Sequence, residues 1–271
     1  MPSLIPRTPW ARRLVYELIY IWPGVHRSGT FNPGFAPARP GIQSKQIQLY
    51  AELLDQIPPD ADWRLFSCLE LAAGCGGGLL YLKAHRAPKE TIGIDHSHIA
   101  AWRSRQLGLD VRQGDAARLP FEEGRFDCVF CLDALNYFAV GPALQEAFRV
   151  LKPGGHLLLG EAFHGTVGAA GERFRRIGEA AGFELQHFRD VSGGVRRSIE
   201  ENSASTGASF LRWLPAFIRN RLMETLSLEG SERLDLWRSG ANCFVLAALK
   251  RPAIRGPNPQ PDGENLTFWQ N

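Results

Sequence analysis

Lysine is scarce in this 271-residue chain. Five residues (Lys45, Lys83, Lys89, Lys152 and Lys250) stand among 31 basic ones, so the other 26 are arginine. With generous alanine, glycine and proline, that bias points to a GC-rich genome and not to a function. Net charge is also low, because 31 Lys and Arg face 28 Asp and Glu and leave +3. Nucleic-acid binders concentrate positive charge in a patch or stripe, so nucleic acid is not an expected partner. Long apolar runs are missing too. None approaches the ~20 residues of a membrane span, and no stable membrane insertion is expected. The nearest mimic is 14–22, which follows Arg12 and Arg13 in the order of a secretory leader. Glu17 interrupts it and no small-residue cleavage site follows, so it reads as an amphipathic helix.

Cysteine is limited to an odd five (Cys68, Cys75, Cys128, Cys131 and Cys243) with no metal-ligand spacing. Cys128 and Cys131 form a C-x-x-C, but inside an apolar strand, where the two side chains leave on opposite faces. Free thiols in a reducing cytoplasm are expected, and no metal site.

Apolar residues make up 44% of the chain, enough for a full core. From Arg64 to Leu159, short β-rich runs alternate with helical stretches. Strands are expected at 65–71, 91–94, 109–112, 126–131 and 156–159, with helices near 79–87, 99–107 and 143–151. Such alternation builds right-handed βαβ units around a parallel sheet, whose ligands bind at the carboxyl ends of the strands. A helix near 172–181 ends at Gly182 and feeds a strand at 183–188. A Ser/Gly/Thr-rich passage covers 192–209. An aromatic helix around Phe210, Leu214 and Phe217, kinked or split by Pro215, precedes a last strand at 242–249. Proline-rich 251–271 reads as a flexible tail.

The chemistry concentrates at strand ends. Glu70 leads into Leu71-Ala72-Ala73-Gly74-Cys75-Gly76-Gly77-Gly78, a turn whose glycines let a ligand approach the backbone. Asp95 ends the second strand, 25 residues after Glu70, where a carboxylate can accept both hydroxyls of a ribose. Gly114-Asp115-Ala116 ends the third strand, and Lys152-Pro153-Gly154-Gly155 announces the fifth. Each has an ordinary structural reading alone, but their joint order does not.

Over about residues 64–160 these motifs resemble the class I S-adenosylmethionine-dependent methyltransferases. The resemblance implies an α/β, Rossmann-like fold with a seven-stranded, mostly parallel sheet. A helical N-terminal extension (1–63) and a lid insertion (192–240) would flank the cofactor-binding domain (64–250). It implies S-adenosyl-L-methionine as cofactor, with Glu70 near the methionine amine and Gly74 and Gly76 along the methionine moiety. Asp95 would hold the ribose, His96 would pack on the adenine, and Leu132 would cover the cofactor. Asp115 would take the adenine amine, and neighbouring Ala116 is a further cofactor-binding candidate. Ala72 departs from the family's usual glycine. A narrower likeness, through Leu49-Tyr50, the Cys75–Gly78 turn, Gly114–Ala116 and Leu214–Phe217, is to phthiotriolone and phenolphthiotriolone dimycocerosate O-methyltransferases. It brings Tyr50 towards the cofactor and implies a lipid-like or polyketide acceptor. Where that group carries a histidine after the fourth strand, this chain reads Asp133-Ala134-Leu135-Asn136-Tyr137.

A sulfonium-activated methyl group asks the protein mainly for positioning. An alcohol acceptor also gains from a general base, worth roughly 10²–10⁴-fold. The candidates are His164, beyond the fifth strand, and Asp133, beyond the fourth, with Asn136 orienting the acceptor oxygen. Tyr137, Phe210, Trp213 and Phe217 are candidate walls of an apolar acceptor pocket. Methyl transfer to a hydroxyl is the leading reading, and C-methylation and a cofactor-holding cyclase or isomerase stay open. No Asn-Pro-Pro-Tyr-type signature follows the fourth strand, which argues against nucleic-acid or protein substrates. A homodimer is compatible with the sequence.

Overall fold

The central strands, which begin near residue 67, are largely apolar because both faces of the sheet are covered there. All five residues of β1 (Ser67–Leu71) are buried, as are the last five of both β2 (Glu90–Asp95) and β4 (Phe126–Leu132). With β3 (Asp110–Gln113), β5 (Leu151–His164), β6 (Glu184–Asp190) and β7 (Asn242–Lys250), they form one sheet in the order β3-β2-β1-β4-β5-β7-β6. β7 runs antiparallel to β5 and β6, and the other neighbours are parallel. This is the expected seven-stranded, mostly parallel α/β architecture. The computed structural model describes residues 17, 20, 32–42, 44–205, 219, 220, 223, 224 and 227–253.

Helices cover both faces. On one side lie α1 (Lys45–Leu54), α2 (Gly77–His85) and α3 (His98–Gln106), which bury Leu49, Leu53, Leu79, Leu82 and Ala101 against Cys68, Phe130 and Leu158. On the other, α4 (Val140–Val150) and α5 (Val167–Ala180) pack Leu144, Ala147, Phe174 and Ile177 against Val129, Leu157 and Val245. Cys128 belongs to the first face and Cys131 to the second, and all five cysteines are buried and free.

Two elements differ from the sequence pattern. β5 starts at Leu151, five residues before the expected strand, because Leu151 already pairs with Phe126. The Pro153-Gly154 step is absorbed as an irregularity, with Gly154 at φ 80° donating its N–H to the Arg251 carbonyl. The Ser/Gly/Thr-rich passage is mostly helix: Ser192–Ser205 forms α6, which buries Val195 and Ile199, one turn apart. Gly194 is needed there because a Cβ would lie 2.1 Å from the Phe35 ring. A short α7 (Glu232–Arg238), capped by Ser231, precedes β7. Among the described residues, no helix is long and apolar enough to cross a membrane.

Candidate functional site

The strand order reverses between β1 and β4, and at such a point the flanking loops part and leave a crevice at the carboxyl ends. β1 leaves the sheet through Ala72 (φ 53°), Gly74 (φ 55°) and Gly76 (φ 84°), three left-handed residues that turn the chain into α2. Gly74 donates its N–H to Asp95 Oδ2 at 2.8 Å, tying this turn to the end of β2. Asp95 Oδ1 accepts from the Ser97 N–H, also at 2.8 Å. Asp95 is buried, and its pKa rises to about 6 because desolvation outweighs those N–H donors.

Glu70 lies beneath the same turn. It accepts hydrogen bonds from the Tyr50 hydroxyl and the Leu79 N–H, yet burial still pushes its pKa up to about 8. One of its oxygens, Oε2, is buried without a hydrogen-bond partner. A Cβ on Gly78 would stand 2.6 Å from both Glu70 Oε1 and Tyr50 Cε1, so that glycine is required for α2 to sit so close. The sequence-selected residues Tyr50, Glu70, Ala72, Gly74, Gly76 and Asp95 therefore meet at one edge. Leu132 ends the adjoining β4 and is buried. His96 and Asp115 are exposed beyond β2 and β3, whereas Ala116 is buried. Asp115 accepts from the Ala117 N–H at 2.9 Å, within its own turn.

Sequence reasoning missed two residues on the N-terminal segment. Glu17 accepts from Ser97 Oγ at 2.6 Å and from the His98 and Ile99 N–H groups at 2.9 and 3.1 Å, at the N-terminus of α3. Tyr20 is buried, with its hydroxyl 3.2 Å from the point where a Gly74 Cβ would stand. Burial first, then the charges of Asp95 and other nearby groups, raise the Tyr20 pKa. The signal was present in Glu17 itself, the one charge in an apolar run, three residues before Tyr20.

A second cluster lies at the ends of β4 and β5. Asp133 is half-buried and holds a left-handed backbone, φ 54°, which costs a residue with a Cβ about 1–2 kcal/mol. Its N–H donates to the Gly160 carbonyl at 2.7 Å, and its carboxyl hydrogen-bonds to that of Glu161. Glu161 is buried and also accepts from the Leu135 N–H (2.8 Å), Asn136 Nδ2 (3.0 Å) and the Ala162 N–H (3.2 Å). Desolvation raises both pKa values. Asp133 and Asn136 thus converge on a residue the sequence had not singled out, an acid in an otherwise apolar stretch of β5. Tyr137, half-buried, closes the same 3₁₀ turn.

His164 does not join them. It is exposed at the end of β5, where Nδ1 lies 3.1 Å from Asn242 Oδ1. Three positions from Glu161, strand alternation turns it to the opposite face. Phe210, Trp213 and Phe217 lie outside the described residues.

Residues 71–159 match the family described as a methyltransferase domain. The sheet order, the glycine turn and the acidic strand ends agree with the class I S-adenosylmethionine-dependent methyltransferases that the sequence resembles. The chain is 34% identical over 158 residues to phthiotriol/phenolphthiotriol dimycocerosates methyltransferase 1 of Mycobacterium ulcerans (strain Agy99), covering 56% of each chain. A methyltransferase of the same description from Mycobacterium leprae (strain TN) is 31% identical over 60% of this chain and 62% of its own. The chain thus spans about three fifths of the length of these relatives. By fold it is similar to the 4+2 cyclase SpnF, with TM-score 0.70 and 21% identity over 93% of this chain and all of that one.

The residues present fit the cofactor. An orphaned, buried carboxylate oxygen on Glu70 suits the methionine ammonium, and Gly74 and Gly76 keep the adjoining backbone free of side chains.

Proposed function

We propose that the protein moves the methyl group of S-adenosyl-L-methionine to a hydroxyl oxygen of an apolar small molecule derived from a polyketide or lipid. The observation that carries this reading is the row of strand ends: Glu70 and Asp95 flank the glycine turn, and Asp133 opens the next strand end along. Bound there, the cofactor supplies an activated methyl group on a sulfonium.

Gly74, Gly76 and Ala72 line the methionine portion, with Glu70 and Tyr50 behind it. Asp95 accepts from the ribose hydroxyls, exchanging its bond to Gly74. His96 packs on the adenine, whose amine meets Asp115, while Leu132 covers the cofactor and Ala116 adjoins it. Tyr20 and Glu17 wall the cleft from the N-terminal extension and limit access of water to it. On the acceptor side, Asn136 and Tyr137 orient the hydroxyl and Asp133 takes its proton. His164 is not assigned the proton, because its side chain faces away from Asp133.

The relatives' names support a lipid-like acceptor, since they refer to phthiotriol and phenolphthiotriol dimycocerosates. In this reading 1–63 and 192–240 enclose the acceptor around a core of 64–250, Phe210, Trp213 and Phe217 contribute apolar wall, and 251–271 is a tail. The protein acts in the cytoplasm, alone or as a homodimer.

The test is incubation with methyl-labelled cofactor and a panel of hydroxylated polyketides and phthiotriol-type lipids. Label in an ether-linked methyl supports the reading. Label on carbon would move it to C-methylation. Conversion of an acceptor without loss of the methyl group would replace it with the cyclase reading.

A further inference from the structure

Glu161 is not among the residues assigned to the cofactor, yet it is an acid buried to 1% exposure near the carboxyl ends of the strands. Among the described residues, its hydrogen bonds come from three places. From the turn after β4 come the Leu135 N–H and Asn136 Nδ2, from its own strand the Ala162 N–H, and from the end of β4 the Asp133 carboxyl. Among the described residues, the other titratable groups that act on the pair are the buried Cys131 thiol in β4 and the Arg233 guanidinium in α7. Two carboxyl groups in hydrogen-bond contact cannot both be charged at low cost, so one proton lies between them.

We propose that Glu161 is a positioning residue: it keeps that proton and donates it in a hydrogen bond to Asp133, leaving Asp133 as the charged oxygen that faces the acceptor. The asymmetry has a physical source. Arg233 favours a negative Asp133, and Asp133 is half-buried, whereas Glu161 is wholly withdrawn from water, a cost that outweighs the N–H bonds it accepts, and no cation pairs with it among the described residues. The same three N–H bonds on Glu161 fix the turn that carries Leu135, Asn136 and Tyr137, so one side chain sets both the base and the groups that orient the acceptor.

The inference deepens the proposed reaction and rests on it for the acceptor's proton. In that step the acceptor O–H bond breaks and its proton goes to an Asp133 carboxylate oxygen. The oxygen's electron pair forms the new bond to the methyl carbon, and the pair of the broken C–S bond goes to sulfur. Glu161 changes no bond, and its proton stays in place.

The experiment is an NMR titration of the full chain with isotope-labelled carboxyl carbons, in wild type, Asp133→Asn, Glu161→Gln and Glu161→Ala. Glu161 is expected to remain protonated through neutral pH in wild type, with Asp133 titrating below it. Glu161→Gln retains a neutral donor and should keep the Asp133 midpoint within about half a pH unit. Glu161→Ala should raise it by about one unit or more, since the carboxylate loses a donor. The acidic limb of the rate profile should follow the same midpoint, which a purely structural role would not move. Glu161 ionising with an ordinary carboxyl midpoint in wild type would overturn the proposal, even if Glu161→Ala fails to fold. So would an Asp133 midpoint indifferent to both substitutions. Should the titration behave as stated while wild type methylates no hydroxyl, the reading of the reaction fails and the proton assignment stands.

Discussion

The Asp95 carboxylate reaches back across two strand ends to accept the N–H of Gly74 at 2.8 Å. That bond joins the turn after β1 to the end of β2, and it occupies the oxygen to which the proposed function assigns a ribose. Removal of the carboxylate takes away a charged acceptor, and hydrogen bonds to charged groups contribute about 1.5–3 kcal/mol. Asp95→Ala should therefore weaken cofactor binding by roughly ten- to a hundredfold. Calorimetric titration with the cofactor checks this, and unchanged affinity would remove Asp95 from the site.

Glu70 links the cofactor to pH. Its pKa near 8 means that the folded protein holds a proton there at neutrality which the unfolded chain releases. A raised carboxyl pKa contributes stability that is complete below the unfolded value, about 4, and is lost as pH rises through about 8. Without cofactor, the melting temperature of wild type should fall between about pH 5 and 8 more steeply than that of Glu70→Gln. Cofactor binding near neutrality should release a proton from Glu70 to the buffer, because a cationic ligand favours the carboxylate. Titration in two buffers of different ionisation enthalpy reads that release, which Glu70→Gln should abolish.

Ala72 carries a Cβ at φ 53°. Left-handed backbone costs such a residue about 1–2 kcal/mol, partly offset by glycine's greater freedom in the unfolded chain. Ala72→Gly should raise stability by about 1 kcal/mol, a gain of roughly 2–4 °C in melting temperature. A loss of stability on thermal melting would show that the methyl group packs usefully.

Glu17 closes the N-terminus of α3 from a distant part of the chain. Loss of such a cap costs about 0.5–2 kcal/mol. Glu17→Ala should speed hydrogen exchange at the His98 and Ile99 amides and leave the core strands protected. Equal exchange in the two proteins would detach the N-terminal segment from this surface.

His164→Ala should leave the methyl-transfer rate within a few-fold of wild type, since the imidazole is exposed and bonded to Asn242 on the face away from Asp133. A fall comparable to the roughly 10²–10⁴-fold value of a general base would restore His164 to that role.

Much of the sheet was legible because its central strands are buried on both faces and read as apolar runs between turns. Glycines at 74 and 76, required by left-handed φ, and the acids at 70 and 95 marked the strand ends in the same way. The longer β5 was hidden by Pro153 and Gly154, which read as a turn although they lie in a strand with an irregular register. α6 was hidden by its serines and glycines, and only two buried apolar positions one turn apart, Val195 and Ile199, betray it. Glu161 and Tyr20 matter through contacts with residues 28 and 54 positions away, Asp133 and Gly74 respectively, which local pattern does not encode.

The most direct measurement is a single-vessel assay that follows methyl label and cofactor product together, with wild type, Asp95→Ala and Asp133→Asn. Wild type should release one S-adenosylhomocysteine for each methyl group fixed on a hydroxyl. Asp95→Ala should need far more cofactor to reach the wild-type rate, and Asp133→Asn should turn over slowly with cofactor binding intact. Acceptor conversion without S-adenosylhomocysteine, or transfer that neither substitution slows, would contradict methyl transfer at this site.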